Sequence, residues 1–361
     1  MTTYYHEIST SGERKNKPLA QNVKGDTTMK KLVALILALM LVCAACVALA
    51  APKGTVMLYS STGEDVILKL KEAFEAKYPD VTLEYYQAGS GKCVTKLSTE
   101  FETNAVACDV IWMADPSAQL TWKSQGKLVP YVSEHAANIA DFYKDPDNAF
   151  IAGRVVLMGI SYSTITCSKE EAPTTFWGMI DEKFANQLVM CDPSASGTTK
   201  AAVFAMVNSE KYGWDYFKKL KELGCELESS SGNTMNKVAA AAYQLCIGVD
   251  YNTRNMEDQG SPIGFHDTTD DVVAVPCPLA IPKGAPNEEL AKLFIDFVLD
   301  PEGGQKVLAN DCNMTPVNSL TVLPEGMTNP GIISDIAMPI DWVDMEANGN
   351  AMLEEFDKIF K

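Results

Sequence analysis

The sequence predicts an α/β protein of two lobes, and three observations carry that prediction. Short apolar strand candidates alternate with amphipathic helices from Thr55 to Met113. The same alternation restarts at Val155 and runs to Pro278. No Gly/Ser-rich or Pro-rich linker divides the two sets. Strand–helix–strand order of this kind implies a parallel sheet covered by helices.

Thr55–Ser60 reads as a short buried strand. Glu64–Lys77 reads as a helix, because Val66, Leu70, Ala73 and Phe74 recur at helical spacing. Thr62 and Asp65 suit a capping box before it, and Pro79 stops the chain after it. Val81–Tyr86 is the next strand, followed by a loop at Gly89–Lys92, a helix to about Glu102 and a strand over Cys108–Met113. In the second set, Val155–Tyr162, Leu188–Met190, Cys246–Tyr251 and Asp271–Pro278 are strand candidates. Helices are expected at Lys200–Val207, Tyr212–Leu223, Thr234–Tyr243 and Glu288–Leu299. A last one, Pro301–Ala309, would be entered through an Asp300 cap. The expected division is residues 51–158 with 272–361 in one lobe and 159–271 in the other.

The first 50 residues have a different character. Residues 1–28 are polar and without apolar periodicity, and read as an extension from a start upstream of the natural one. Met29 then opens a signal-peptide pattern over residues 29–50: Lys30 and Lys31, the apolar run Leu32–Val42, and small residues at Ala48 and Ala50. Cys46 offers a lipid-attachment alternative. The formal charge is −17, and residues 1–50 carry six Lys/Arg against three Asp/Glu, so the rest of the chain holds a net −20. Such a surface repels phosphate backbones and argues against a nucleic-acid binder. Ten cysteines occur in all; Cys43 and Cys46 lie in the signal-peptide pattern, and none of the other eight are spaced C-x-x-C. Most of those beyond Cys46 sit in apolar runs, which favours buried thiols over a zinc site or a disulfide framework.

Catalytic signatures are sparse. Of three histidines, His6 lies in the leader and His135 reads as an exposed helical residue. His266 adjoins Asp267, Asp270 and Asp271, which read as a solvated acidic loop. Gly89–Lys92 fails as a phosphate-binding P-loop because Tyr86 and Cys93 stand where Gly and Ser/Thr are needed. Hydroxyl-rich helix starts recur instead, at Ser60–Gly63, Ser194–Thr198 and Ser229–Gly232. Free backbone N–H groups and the positive dipole end of a helix, with Ser/Thr donors added, make an anion site. The expected ligand-binding residues are Ser60, Ser61, Thr62, Gly89, Ser90, Ser196, Gly197, Thr198 and Ser230, with Asp115 or Asp250 to receive any ammonium group.

Taken in order, several segments resemble one family. They are Leu58-Tyr59-Ser60-Ser61-Thr62, Gly89-Ser90-Gly91, Asp109-Val110-Ile111-Trp112, Asp192-Pro193-Ser194-Ala195-Ser196-Gly197-Thr198, Gly248-Val249-Asp250-Tyr251 and Thr315-Pro316-Val317. Together they resemble the iron(III)/2-aminoethylphosphonate-type binding proteins of ABC importers. The resemblance implies a two-lobed, type II periplasmic-binding-protein fold that closes on its ligand by a hinge. It also implies a periplasmic or membrane-tethered monomer, no catalysis, no cofactor, and an importer permease as partner. Ferric members use paired cleft tyrosines as hard phenolate ligands. The matching position here, Asp250-Tyr251-Asn252, has one, Tyr251, which joins the expected ligand-binding residues, so a phosphonate or phosphate ester is expected over iron. Alternatives are a ferric binder of the same family and an exported enzyme on this scaffold.

Overall fold

The computed structural model describes Val33 and residues 51–361, except Asp115, Thr269 and Asp270. The start at Met29, the signal peptide and lipidation at Cys46 fall outside the described residues. Residues 52–361 form one compact unit. Among the described residues, no helix is long and apolar enough to cross a membrane.

The unit is built on a ten-stranded sheet. In chain order the strands are β1 (Gly54–Ser60), β2 (Val81–Gln87), β3 (Val110–Trp112), β4 (Leu128–Val129), β5 (Ile151–Ser163), β6 (Leu188–Cys191), β7 (Glu226–Glu228), β8 (Leu245–Val249), β9 (Ile263–His266) and β10 (Val273–Pro282). The main path runs β2-β1-β3-β10-β5-β8-β6-β7, with β4 on β10 and β9 on β5. Within each half the pairs β1–β2, β1–β3, β6–β7 and β6–β8 are parallel, as the strand–helix alternation predicts. The joining strands β5 and β10 are antiparallel to their neighbours, which makes the sheet mixed. Their antiparallel pairing shifts register between Cys277 and Pro278. Pro276 and Pro278 bring no N–H to a central ladder, and a bulge is how such a strand is accommodated.

Eight helices besides a long C-terminal one position the cleft: α1 (Glu64–Lys77), α2 (Ser90–Thr103), α3 (Ser117–Ser124), α4 (Gly197–Val207), α5 (Gly213–Glu222), α6 (Ser231–Ala239), α7 (Asp250–Asp258) and α8 (Glu288–Leu299), then α9 (Trp342–Phe360). α1 and α8 have the bounds their apolar spacing predicts. Their buried faces meet through Phe74, which lies 5.2 Å from both Phe294 and Phe297. Such ring pairs each add about 0.5–1.5 kcal/mol beyond burial. Asp109 ties this half together by accepting from the N–H groups of Met57 at 2.8 Å and Asn287 at 2.7 Å. α9 packs across α3, α4 and α5, with Phe356 against Phe217.

Local readings failed in four places. The cap of α1 is Gly63, without a side-chain bond, so the Thr62/Asp65 box does not form. Asp250 and Tyr251 open helix α7 rather than end a strand. The chain after Asp300 turns first and becomes helical only at Gly304. There Asp300 caps a turn by accepting from the Glu302 N–H at 3.0 Å. His135 is half-buried and precedes a one-turn 3₁₀ helix.

Candidate ligand-binding cleft

The hydroxyl-rich helix starts do converge. A cavity of about 550 Å³ is lined by Ser61 after β1, by Ser90 and Gly91 at the start of α2, and by Ser194–Thr198 and Lys200 around the start of α4. Ser231 of α6, Tyr251 and Asn252 of α7, and Asn350 and Leu353 of α9 complete the wall with Arg154 and Val156 of β5. A second cavity, of about 360 Å³, shares Ser90, Gly91, Gly197 and Lys200 with it and extends over Trp122, Glu102 and Glu346.

Arg154 is the principal feature of the larger cavity. β5 has thirteen residues, every one buried, and Arg154 is its only charge. The residue is 3 % exposed, yet its Nε and Nη1 have no hydrogen-bond partner among the described residues. Its guanidinium lies over the Tyr251 ring, 5.4 Å from the centroid. Burying a cation without a counter-charge costs several kcal/mol. Lys200 adds a second cation with no ion pair among the described residues, and the described lining of this cavity holds no Asp or Glu. In a chain of net −17 this is a local reversal of sign.

The hydroxyls divide into two sets. Ser196 accepts from the Thr199 N–H at 3.3 Å, and Ser230 accepts from the Asn233 N–H at 3.1 Å. These two oxygens are held by their own helices. Ser196 still lines the cleft, together with Thr198, hydrogen-bonded to it at 3.0 Å, whereas Ser230 does not and is replaced there by Ser231, one position on. Ser61 keeps a buried hydroxyl that has no partner among the described residues, at the cleft edge. Ser60 does not reach the cleft: its hydroxyl donates to the Trp112 carbonyl at 3.1 Å and accepts from the Thr62 N–H at 3.0 Å. Thr62 is 1 % exposed and Gly89 caps α2, and neither lines the cavity.

Asp250 is likewise displaced from its expected role. It is fully buried, accepts from Thr315 at 2.9 Å and lies 3.5 Å from Arg254. Burial pushes its carboxyl above the ordinary range, and Arg254 opposes the rise. It is not among the residues that line the cavity, although its neighbours Val249 and Tyr251 are. Asp115 lies outside the described residues. Burial also raises the Tyr251 phenol, and the Arg154 charge beside it works against that rise.

The remaining candidates resolve into structural roles. His266 stacks on Tyr162 at 5.0 Å and shares a hydrogen bond with the Lys169 carbonyl. Asp267 accepts from Thr328 and pairs with Arg254, and Asp271 accepts from Tyr212, so these two acids are partnered rather than solvated. Among the described residues no group of three His, Cys, Asp or Glu could hold a metal ion. All eight cysteines beyond Cys46 are buried.

Sequence reasoning missed Arg154, Lys200 and Asn350. A signal existed for the first: one arginine inside an apolar run long enough to be a central strand.

Known proteins share this architecture. The iron-bound protein HitA of Pseudomonas aeruginosa superposes with a TM-score of 0.72 at 15 % identity, covering 84 % of this chain and 99 % of that one. AfuA of Actinobacillus pleuropneumoniae, solved with fructose-6-phosphate, superposes at 0.67 with 23 % identity, covering 86 % and 99 %. In sequence, a periplasmic protein of Salmonella paratyphi A, whose name proposes 2-aminoethylphosphonate as its ligand, is 26 % identical over 239 residues, which are 64 % of this chain and 68 % of that protein. The fold is therefore that of the periplasmic substrate-binding proteins, binders and not enzymes. With residues 107–348 matching its family model, the chain belongs to the bacterial extracellular solute-binding proteins.

Proposed function

We propose that the chain captures a small phosphate- or phosphonate-type anion outside the cytoplasmic membrane and delivers it to the permease of an ABC importer. The observation that carries this reading is Arg154, a buried guanidinium with no counter-charge among the described residues, facing a cavity whose described lining has no carboxylate. An anionic ligand supplies the missing charge, and Ser61, Ser90, Thr198, Ser231 and the first N–H groups of α2 and α4 supply neutral donors. Residues 51–158 with 272–361 form one lobe and residues 159–271 the other. The ligand is gripped from both, and its better fit to the closed form drives closure. A ferric ion fits less well: one tyrosine lines the cavity, and Arg154 sits over it at 5.4 Å.

Native mass spectrometry and calorimetry with 2-aminoethylphosphonate, fructose-6-phosphate, inorganic phosphate and ferric citrate test the reading. Binding of at least one phosphorus-bearing anion is expected, with no visible phenolate-to-iron band. Binding of ferric ion alone would overturn it.

A further inference from the structure

Helix α9 contains an unexplained weak point. Its middle reads Asn348-Gly349-Asn350 in a helix of nineteen residues, and Gly349 is buried there. A glycine inside a helix is unfavourable relative to alanine. The neighbourhood gives it a reason. A Cβ at this position would lie 2.6 Å from Cε and 2.8 Å from Nζ of Lys200, with nothing else nearer than the Met345 Cγ at 3.8 Å. The end of the Lys200 side chain therefore occupies the space that any other residue would fill. Lys200 lines both cavities, and next along α9 Asn350 lines the larger one.

We infer that Gly349 is a positioning residue that seats the Lys200 ammonium in the cleft as a second cation beside Arg154, so that the site selects a phosphoryl dianion over a monoanion of the same shape. The inference rests on the anion reading proposed above and deepens it. With Arg154 alone the cavity lining would balance one negative charge; with Lys200 seated it balances two. A phosphate monoester loses its second proton near pH 6 and so carries two charges at pH 8, whereas the matching sulfate ester carries one. The C-terminal helix thereby becomes part of the recognition site: it contributes Asn350 to the wall and fixes Lys200 of α4 by leaving room for it.

A substitution at Gly349 separates stability from selectivity. Gly349→Ala adds a good helix former, and the only atoms it displaces are the far end of a flexible side chain, so its urea midpoint should equal or exceed the wild type. The same variant should lose affinity for the dianion. Ethyl phosphate and ethyl sulfate at pH 8, measured by calorimetry, are the probes. The wild type should prefer ethyl phosphate by about 10- to 100-fold, the worth of one charge-assisted hydrogen bond. Gly349→Ala and Lys200→Met should each lose most of that preference, and combining them should lose no more than either alone. If Gly349→Ala keeps the wild-type preference, the inference falls and the anion reading stands. The same holds if the wild type binds both esters equally. If neither ester binds the wild type, the inference falls, and the anion reading is decided by the phosphorus-bearing anions named above.

Discussion

Two arginines of this molecule look alike and do opposite things. Arg254 lies over Phe265 at 5.5 Å, much as Arg154 lies over Tyr251 at 5.4 Å. Around Arg254 the charges close through ion pairs, even though Nη1 makes no hydrogen bond among the described residues. Nη2 is 3.4 Å from Asp267, Nη1 is 3.5 Å from Asp250, and Thr328 and Thr315 donate to those same carboxylates. Around Arg154 nothing among the described residues closes the charge. The first is a structural cation that neutralises buried acids. The second is left for something that is not part of the chain. What marks a binding residue is thus the absence of a local partner rather than burial or an aromatic neighbour.

The sharpest way to break this comparison is to remove each guanidinium in turn. Arg154→Met should weaken capture of the native anion by about 2–5 kcal/mol, since one partner of a buried charge pair is lost. It should also raise ligand-free stability, because an unpaired buried cation is removed. Arg254→Met should do the reverse: about 3 kcal/mol of stability lost, because Asp250 and Asp267 are left uncompensated, with affinity little changed. Urea unfolding and calorimetry on both variants decide it. If Arg154→Met destabilises as Arg254→Met does, the two residues are equivalent and the binding role fails.

Smaller effects sharpen the contrast between hydroxyls facing the cleft and hydroxyls held by their own helix. Thr198→Val and Ser61→Ala should each cost about 1–3 kcal/mol of affinity, roughly 5- to 150-fold, measured by calorimetry with the native anion. Ser230→Ala should lower stability by about 1 kcal/mol as a lost cap and leave affinity nearly unchanged. Equal affinity losses in all three would erase the distinction.

The smallest effect concerns pH. The folded-state value of Asp250 lies above its ordinary 3.8, so the native state holds that proton more tightly than the unfolded chain does. Its contribution favours folding most below 3.8 and is lost as pH rises through the raised folded value. Asp250→Asn lacks this loss, so its stability relative to the wild type should grow with pH over that window and then level off. Unfolding midpoints measured from acid to neutral pH would show it, and a constant difference would mean that Asp250 is not the group responsible.

Local information was legible where local physics decides. α1 and α8 followed from apolar spacing, and the cleft loops followed from clustered Ser, Thr and Gly near strand ends. The expected residues that do not line the cavity share a cause. Ser60, Ser230 and Asp250 have the right chemistry one or two positions from residues that face the cavity, and the two hydroxyls and one carboxylate oxygen of Asp250 are already held by Trp112, Asn233 and Thr315. Which hydroxyl is held and which is available depends on contacts that no spacing rule records. Lys200 is the extreme case, since its placement depends on a glycine in the C-terminal helix.

The cysteines carry a consequence for the life of the chain. All eight beyond Cys46 are buried, and burial raises seven of the thiols, with Cys246 pushed to about 12 and Cys312 to about 11. Oxidation and disulfide exchange proceed through the thiolate, so the folded protein is chemically quiet in an oxidising environment. The unfolded chain has no such protection. Exposed together, eight ordinary thiols can cross-link in many wrong pairings, and a pairing between distant segments holds apart strands that must meet in one continuous sheet. Outside the membrane, rapid burial is the protection against oxidative misfolding, and an environment poor in oxidants is where this sequence folds with least loss.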